Sequence, residues 1–272
     1  MCCSKKTPVG FFDSGVGGLT VLRAFLEKIG DFPFHYLADT ANCPYGDRPL
    51  PEVKKFALSA TDFLVKKGCK TIVMACNISS SIALAAARKK FPGITVHGLV
   101  NSHLAGSVKT VSRAGKIGVL ATSGTVKSKK YPEVLHARGL RVYQQSCPPL
   151  VPLVEAGELS GQRVEKILQE LLAPLLDRKI DTLILGCTHY PFLTATVRRL
   201  LPPEIKLVDP GKILAENLAP QLQTGSSRQI TGVWSTGESR ALYQLLRELP
   251  KLTNPTVHPT STDHSATRLT VS

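Results

Sequence analysis

The chain has 272 residues, 43% of them hydrophobic, and a net charge of +14 from 34 basic and 20 acidic side chains. That length and apolar content support a sizeable core in one or two domains, and no run approaches the roughly 18 apolar residues of a membrane helix. The positive excess is spread over residues 1–200, and its densest stretch, Lys109 to Arg141 with Glu133 as its lone acid, reads as a solvated basic face. No zinc-finger or RNP-like signature accompanies it and aromatics are only 6%, so specific nucleic-acid binding is not expected.

Taken in chain order, short apolar runs alternate with longer amphipathic ones. Met1 to Gly10 has no apolar stretch before Val9, where a secretory leader needs about 7–15 such residues, so a cytoplasmic location is expected. Thr7–Phe12 reads as a strand, Gly15, Gly17 and Gly18 as a turn, and Leu19–Lys28 as a helix. His35–Ala38 is a second strand, and Pro51–Lys67 an amphipathic helix stopped by Gly68. Thr71–Ala75 is a buried strand followed by a helix over Ser79–Lys90. Further strands fall at Thr95–Val100, Lys116–Ala121, Arg141–Gln145, Thr182–Leu185 and Lys206–Val208, with helices between. This alternation implies parallel βαβ units and an α/β fold. Residues 251–272, rich in Thr, Ser, Pro and His, read as a flexible tail.

The seven cysteines include no CxxC pair, so neither a zinc knuckle nor a thioredoxin-like site is indicated, and in a reducing compartment they are thiols. Two stand in matched contexts. Thr71-Ile-Val-Met-Ala-Cys76 resembles Thr182-Leu-Ile-Leu-Gly-Cys187. Each strand is preceded, at a nearly equal offset, by another with a polar end: Phe11-Phe12-Asp13-Ser14-Gly15 in one case, Leu120-Ala121-Thr122-Ser123-Gly124 in the other. The chain therefore reads as two related α/β halves. Cys43, Cys69 and Cys147 are taken as small core residues, Cys2 and Cys3 as exposed terminal thiols.

Open α/β sheets bind ligands beyond the carboxyl ends of their strands, where Asp13, Ser14, Cys76, Asn77, Cys187, Thr188 and His189 fall. If the halves face one another, the two thiols approach one cleft from opposite sides. Inverting a stereocentre by proton transfer needs a base on one face of the carbon and an acid on the other, and two like groups suit a substrate and product that are mirror images. A helix starting just after Cys76 is expected to favour its thiolate, and Asp13 and His189 can orient the thiols or share their protons. A cysteine-nucleophile hydrolase using Cys187 and His189 is the competing reading; it leaves Cys76 unexplained. The turn Gly15-Val-Gly-Gly18 matches neither GxGxxG nor a Walker loop.

Residues 8 to 238 carry a series of motifs: Gly10-Phe-Phe-Asp-Ser-Gly-Val-Gly-Gly-Leu19, Ala38-Asp-Thr-Ala-Asn-Cys-Pro-Tyr-Gly46, Ala75-Cys-Asn77, Ile117-Gly-Val-Leu-Ala-Thr122, Cys147-Pro148 with Val151-Pro-Leu-Val-Glu155, and Gly186-Cys-Thr-His-Tyr-Pro191. Through them the chain resembles the aspartate/glutamate racemase family, and within it the glutamate racemases. The resemblance implies cofactor-independent interconversion of L- and D-glutamate, supplying D-glutamate for peptidoglycan, with no metal and often a homodimer. It implies two doubly wound parallel-sheet domains related by a pseudo-twofold, residues 1–98 with 209–250 and residues 99–208, with the site in the cleft between them. Carried over, Cys76 and Cys187 are the acid/bases, and Asp13, His189 and Glu155 assist. Asp13, Ser14, Tyr45, Gly46, Asn77, Ile78, Thr188 and His189 would contact substrate. Two departures stand near the expected cleft. Where the family usually reads Cys-Asn-Thr-Ala-Ser-Ala, this chain has Cys76-Asn-Ile-Ser-Ser-Ser81, so Ile78 lacks a hydroxyl that the serines at 79 to 81 would have to replace. Where the family has an acid and proline, it has Leu99-Val-Asn-Ser-His103. Alternatives are a racemase of another amino acid such as aspartate, or a binding or regulatory protein on the same scaffold.

Overall fold

A computed structural model describes residues 7–222, 231–250 and 257–260. The apolar runs form buried strands and the amphipathic runs the helices that cover them. In chain order these are β1 (Val9–Asp13), α1 (Gly18–Ile29), β2 (Phe34–Ala38), α2 (Leu50–Lys66), β3 (Thr71–Met74), α3 (Asn77–Lys90), β4 (Thr95–Gly98) and α4 (Ser102–Val111). There follow β5 (Lys116–Ala121), α5 (Ser123–Lys127), α6 (Lys130–His136), β6 (Arg141–Ser146), α7 (Leu150–Glu155), α8 (Gln162–Leu176), β7 (Thr182–Gly186), α9 (Thr194–Leu200) and β8 (Lys206–Val208). The chain ends with α10 (Pro210–Leu218), β9 (Thr231–Ser235), α11 (Arg240–Arg247) and β10 (Val257–Pro259).

Two parallel sheets result, one of six strands in the order β10-β9-β2-β1-β3-β4 and one of four in the order β6-β5-β7-β8. Strands β1, β2 and β7 are buried along their whole length, as helices on both faces of a parallel sheet require. In the first sheet Phe12 pairs with Met74, so Asp13 and Cys76 leave neighbouring strand ends. In the second, Ala121 pairs with Gly186, so Thr122 and Cys187 do the same. The matched sequence contexts thus correspond to matched places in two sheets.

Three features depart from the expectations. The first sheet is extended by β9, which pairs with β2 from Phe34↔Thr231 to Ala38↔Ser235. Its sequence, Thr231-Gly-Val-Trp-Ser235, is too short and mixed to declare itself as a strand. The region expected to be a flexible tail contains β10, which pairs with β9 from Val257↔Val233 to Pro259↔Ser235. An edge strand needs ladder bonds on one side only, so a polar sequence ending in Pro259 suffices there. His258 also lies against Trp234, with ring centroids 4.8 Å apart. The rest of that region lies outside the described residues, as do Cys2 and Cys3. Finally, Asn101 is not turned to a ligand. It caps α4, accepting from the Leu104 amide at 2.9 Å and donating to the Gly98 carbonyl at 2.7 Å. No helix among the described residues is long and apolar enough to cross a membrane.

The return from the second sheet to the first runs through α10, which packs on α1 and α4. Its start is fixed by Asp209, whose Oδ1 accepts from the Gly211 amide at 2.8 Å; burial raises the carboxyl's pKa. Asp209→Ala is expected to lower the unfolding free energy by about 1 kcal/mol. Asp209→Asn keeps the cap without the cost of burying a charge, and should lose less. Urea denaturation of the two variants side by side measures the difference.

Candidate active site

Both sheets present their carboxyl-end loops to one narrow cavity of about 20 Å³. The first sheet contributes Ser14, Tyr45, Gly46, Cys76, Asn77 and Ile78, and the second Thr122, Thr125, Cys187, Thr188 and His189, with Pro44 and Val151 closing the walls. Cys76 is the N-cap residue of α3, with extended backbone (φ −127°, ψ 123°). Its thiol and that of Cys187 are both buried. Of the thirteen lining residues none is lysine or arginine, so the basic excess of the chain lies elsewhere and His189 is the one wall residue able to carry positive charge.

Hydrogen bonds cross between the halves at this point. The Thr188 hydroxyl donates to Asp13 Oδ2 at 3.0 Å, and the Gly15 amide to Oδ1 at 2.9 Å. The Thr20 hydroxyl donates to the Thr188 carbonyl at 3.0 Å. The Gly124 amide donates to the Gly46 carbonyl at 2.7 Å, and the Tyr131 hydroxyl to Asn77 Oδ1 at 2.6 Å. Tyr45 is held by its hydroxyl against Asp39 Oδ2 at 2.5 Å, and Asp39 is itself fixed by Thr236 at 2.7 Å. The glycine turn serves this approach rather than a phosphate. A Cβ on Gly17 would sit 2.5 Å from His189 Nδ1 and 2.6 Å from Thr188 Oγ1.

His189 is the electrostatic centre. Its Nε2 lies 2.6 Å from Glu155 Oε1 and its Nδ1 3.7 Å from Cys187 Sγ. Burial opposes its charge, but the bonds to Cys187 and Glu155, with the Asp13 charge, outweigh burial and raise its pKa well above the usual 6.5. Burial likewise works against the Glu155 carboxylate, and there the His189 contacts prevail and lower its pKa. Asp13 goes the other way. Burial raises its pKa despite the opposing pull of His189, Gly15 and Thr188. Cys76 corrects the expectation that a helix start would favour its thiolate: burial, reinforced by Asp13, pushes the thiol up to about 12 against a partial offset from Ser79. A half-charge at a helix end does not overcome full burial beside a carboxylate.

Every site residue singled out in the sequence lies at this cavity or directly behind it, Asp13 and Glu155 in the supporting positions. Ser80 and Ser81 do not replace the hydroxyl absent at Ile78. Ser80 donates to the Met74 carbonyl at 2.8 Å and accepts from Leu99, and Ser81 donates to the Asn77 carbonyl at 2.8 Å. Ile78 instead joins an apolar cluster with Tyr45, Val53 and Cys76 and presses on Gly124, where a Cβ would meet its Cδ1 at 2.3 Å. Cys43, taken from sequence as a core residue, lies at the site edge with Sγ 3.8 Å from Glu155 Oε1. Thr125 and Asp39 were not singled out at all. Thr125 follows the strand-end Thr122 by one helical turn and bonds to it at 3.0 Å, a spacing that could have pointed to it.

An α/β chain whose two parallel sheets offer thiols to one cavity has the architecture of an enzyme that works on a small molecule from two sides. The family model for Asp/Glu/hydantoin racemases matches residues 20–218. A glutamate racemase of Corynebacterium diphtheriae is 38% identical over 259 residues, covering 92% of this chain and 97% of that protein. Among solved structures, glutamate racemase from Francisella tularensis in complex with D-glutamate superposes with a TM-score of 0.85 at 28% identity, covering 94% of this chain and 98% of that one. The Escherichia coli enzyme in complex with L-glutamate and the activator UDP-MurNAc-ala gives 0.74 at 28% identity, covering 90% and 94%. The chain belongs to the Asp/Glu/hydantoin racemase family.

The His189–Glu155 pair makes stability depend on pH in a defined window. The His189 contribution is complete below its unfolded value near 6.5 and fades as pH rises through its higher folded value. The Glu155 contribution is complete above its unfolded value near 4.5 and fades as pH falls through its lower folded value. Glu155→Gln should bring the His189 imidazole titration, followed by NMR of the ring protons, to lower pH. It should also flatten the stability loss that the native protein undergoes on the alkaline side.

Proposed function

We infer that this protein interconverts L- and D-glutamate by proton transfer between two thiols, without pyridoxal phosphate or metal. The observation that carries the reading is the placement of Cys76 and Cys187, from different sheets, in the walls of one cavity. One thiolate removes the α-proton from one face of the substrate carbon. The other thiol delivers a proton to the opposite face, leaving the enantiomer and the two sulfurs with protonation exchanged. His189, 3.7 Å from Cys187 Sγ, takes up or returns charge on that side, and Glu155 holds its ring. Asp13 stands in the corresponding place beside Cys76 and fixes Thr188. Ser14, Tyr45, Gly46, Asn77 and Thr188 supply the hydroxyls and amides that grip the substrate's polar ends. An amino-acid ammonium entering next to Cys76 brings the positive charge that the buried thiol lacks. The product serves cell-wall peptidoglycan, and two free thiols used as acid and base ask for a reducing compartment such as the cytoplasm. A homodimer belongs to this reading and is tested by size-exclusion chromatography with light scattering.

The connected Cys187, His189 and Glu155 also have the linkage of a nucleophilic triad, which favours a hydrolase as the second reading. One experiment separates the two. In deuterium oxide, metal-free and pyridoxal-free protein should turn either enantiomer of glutamate into a racemic, α-deuterated mixture, with aspartate reacting more slowly. Retention of the α-proton with turnover of an ester or amide would establish the hydrolase instead.

Cys76→Ser and Cys187→Ser should each lose roughly 10²–10⁴-fold in racemisation, the range of a general acid–base group. With a glutamate bearing a leaving group on the β-carbon, only one base is needed. The family resemblance implies Cys76 as the base toward the D-enantiomer and Cys187 toward the L-enantiomer, so Cys76→Ser should keep elimination from the L-enantiomer, and Cys187→Ser from the D-enantiomer. Loss of both in one variant with the other untouched would leave a single catalytic cysteine. Ile78→Thr should lower KM with kcat little changed, which is the pattern of a regained ground-state contact. The KM effect should be about tenfold, as for a hydrogen bond to a charged group, with about 1 kcal/mol of stability lost from the apolar cluster.

A further inference from the structure

The Ser79 hydroxyl is fully buried and makes no well-formed hydrogen bond, and the group it acts on is the neighbouring Cys76 thiol. Its neighbours Ser80 and Ser81 are both bonded to carbonyls, so Ser79 is the serine of this group left unused. An unmet hydroxyl is unfavourable in a folded core and calls for a reason. Ser79 is the third residue of α3, and Cys76 is that helix's N-cap. The third residue is the one whose amide a capping side chain addresses, and its own side chain reaches back toward the cap. Here the cap is a thiol, which accepts hydrogen bonds weakly while neutral, and the helix start carries no side-chain cap bond. A thiolate at the same place would accept both.

We propose that Ser79 is a positioning residue for proton transfer at Cys76, its hydroxyl and amide closing onto the sulfur when the thiol ionises. This rests on the racemase reading, in which Cys76 must become a thiolate in one direction of the reaction. The groups that act on it from the surrounding elements are Asp13 at the end of β1 and Cys187 after β7, with Tyr36 on β2 and Cys43 and Tyr45 after it. Each of these is neutral or negative. The amide and hydroxyl of Ser79 oppose them and hold the thiol below where burial and Asp13 would put it.

Alkylation of the full-length protein by iodoacetamide at pH 8–9, followed by mass spectrometry of the Cys76 and Cys187 peptides, tests this without relying on turnover. A hydrogen bond to a charged group corresponds to about one to two pH units of thiol ionisation. The greater nucleophilicity of a more basic thiolate offsets part of that change. In Ser79→Ala the Cys76 rate should therefore fall roughly three- to fifteen-fold, while the Cys187 rate stays within about twofold. Ser79→Thr retains the hydroxyl and should keep the native Cys76 rate. Thermal stability of Ser79→Ala should hold or rise, since an unmet polar group has been removed. An unchanged Cys76 rate in Ser79→Ala, or equal slowing of both thiols, overturns the proposal. Absence of glutamate turnover in the native protein would sink the racemase reading instead, and the alkylation rates would still decide the role of Ser79.

Discussion

The arrangement depends on burying His189, whose charged form its neighbours favour, between two sheets. His189 is 2% exposed, and a cation taken so far out of water persists only if it is paired and bonded on both nitrogens. Glu155 at 2.6 Å provides the pair, Cys187 at 3.7 Å occupies the second nitrogen, and Asp13 adds its charge from the other sheet. Moving any of the three would leave charge uncompensated in a closed space. The half that carries this pair is tied to the other by the Thr188 hydroxyl on Asp13 and the Thr20 hydroxyl on the Thr188 carbonyl.

Much of the local sequence follows from that requirement. Asp13 is placed at the end of a wholly buried strand because its carboxylate is needed by Thr188 and Gly15. Gly17 is side-chain-free because His189 and Thr188 occupy the space a methyl group would take. The cavity wall takes its polarity from hydroxyls, amides and one imidazole, and holds neither lysine nor arginine. The strong positive charge of the chain is a property of its surface and does not enter the site.

The two thiols are not equivalent in their surroundings, although they occupy equivalent strand ends. Cys187 has the His189 imidazole in contact, whose pKa is raised. Cys76 has Asp13 nearby and burial pushes it up to about 12, with Ser79 at the start of α3 opposing that shift. Ile78 sharpens this asymmetry by turning the neighbouring wall apolar and pressing it against Gly124.

The strand-end positions of Asp13, Cys76, Thr122 and Cys187 were legible in the sequence because a parallel strand buried on both faces is a plain apolar run, and a polar residue closing it marks the ligand-facing end. The alternation of such runs with amphipathic ones likewise determined the α/β class and most elements to within a few residues. What the sequence did not determine depends on contacts between distant segments. β9 and β10 join the first sheet at its edge, where backbone pairing suffices and the side chains carry little signal. Cys43 and Glu155 meet across the cleft, Asp39 reaches the site through Tyr45, and Asn101 is spent on a helix cap. The ionisation of Cys76 also belonged to the tertiary structure alone. A helix start is visible in sequence, but burial and a carboxylate from another strand are not, and in a low-dielectric interior those outweigh the helix end.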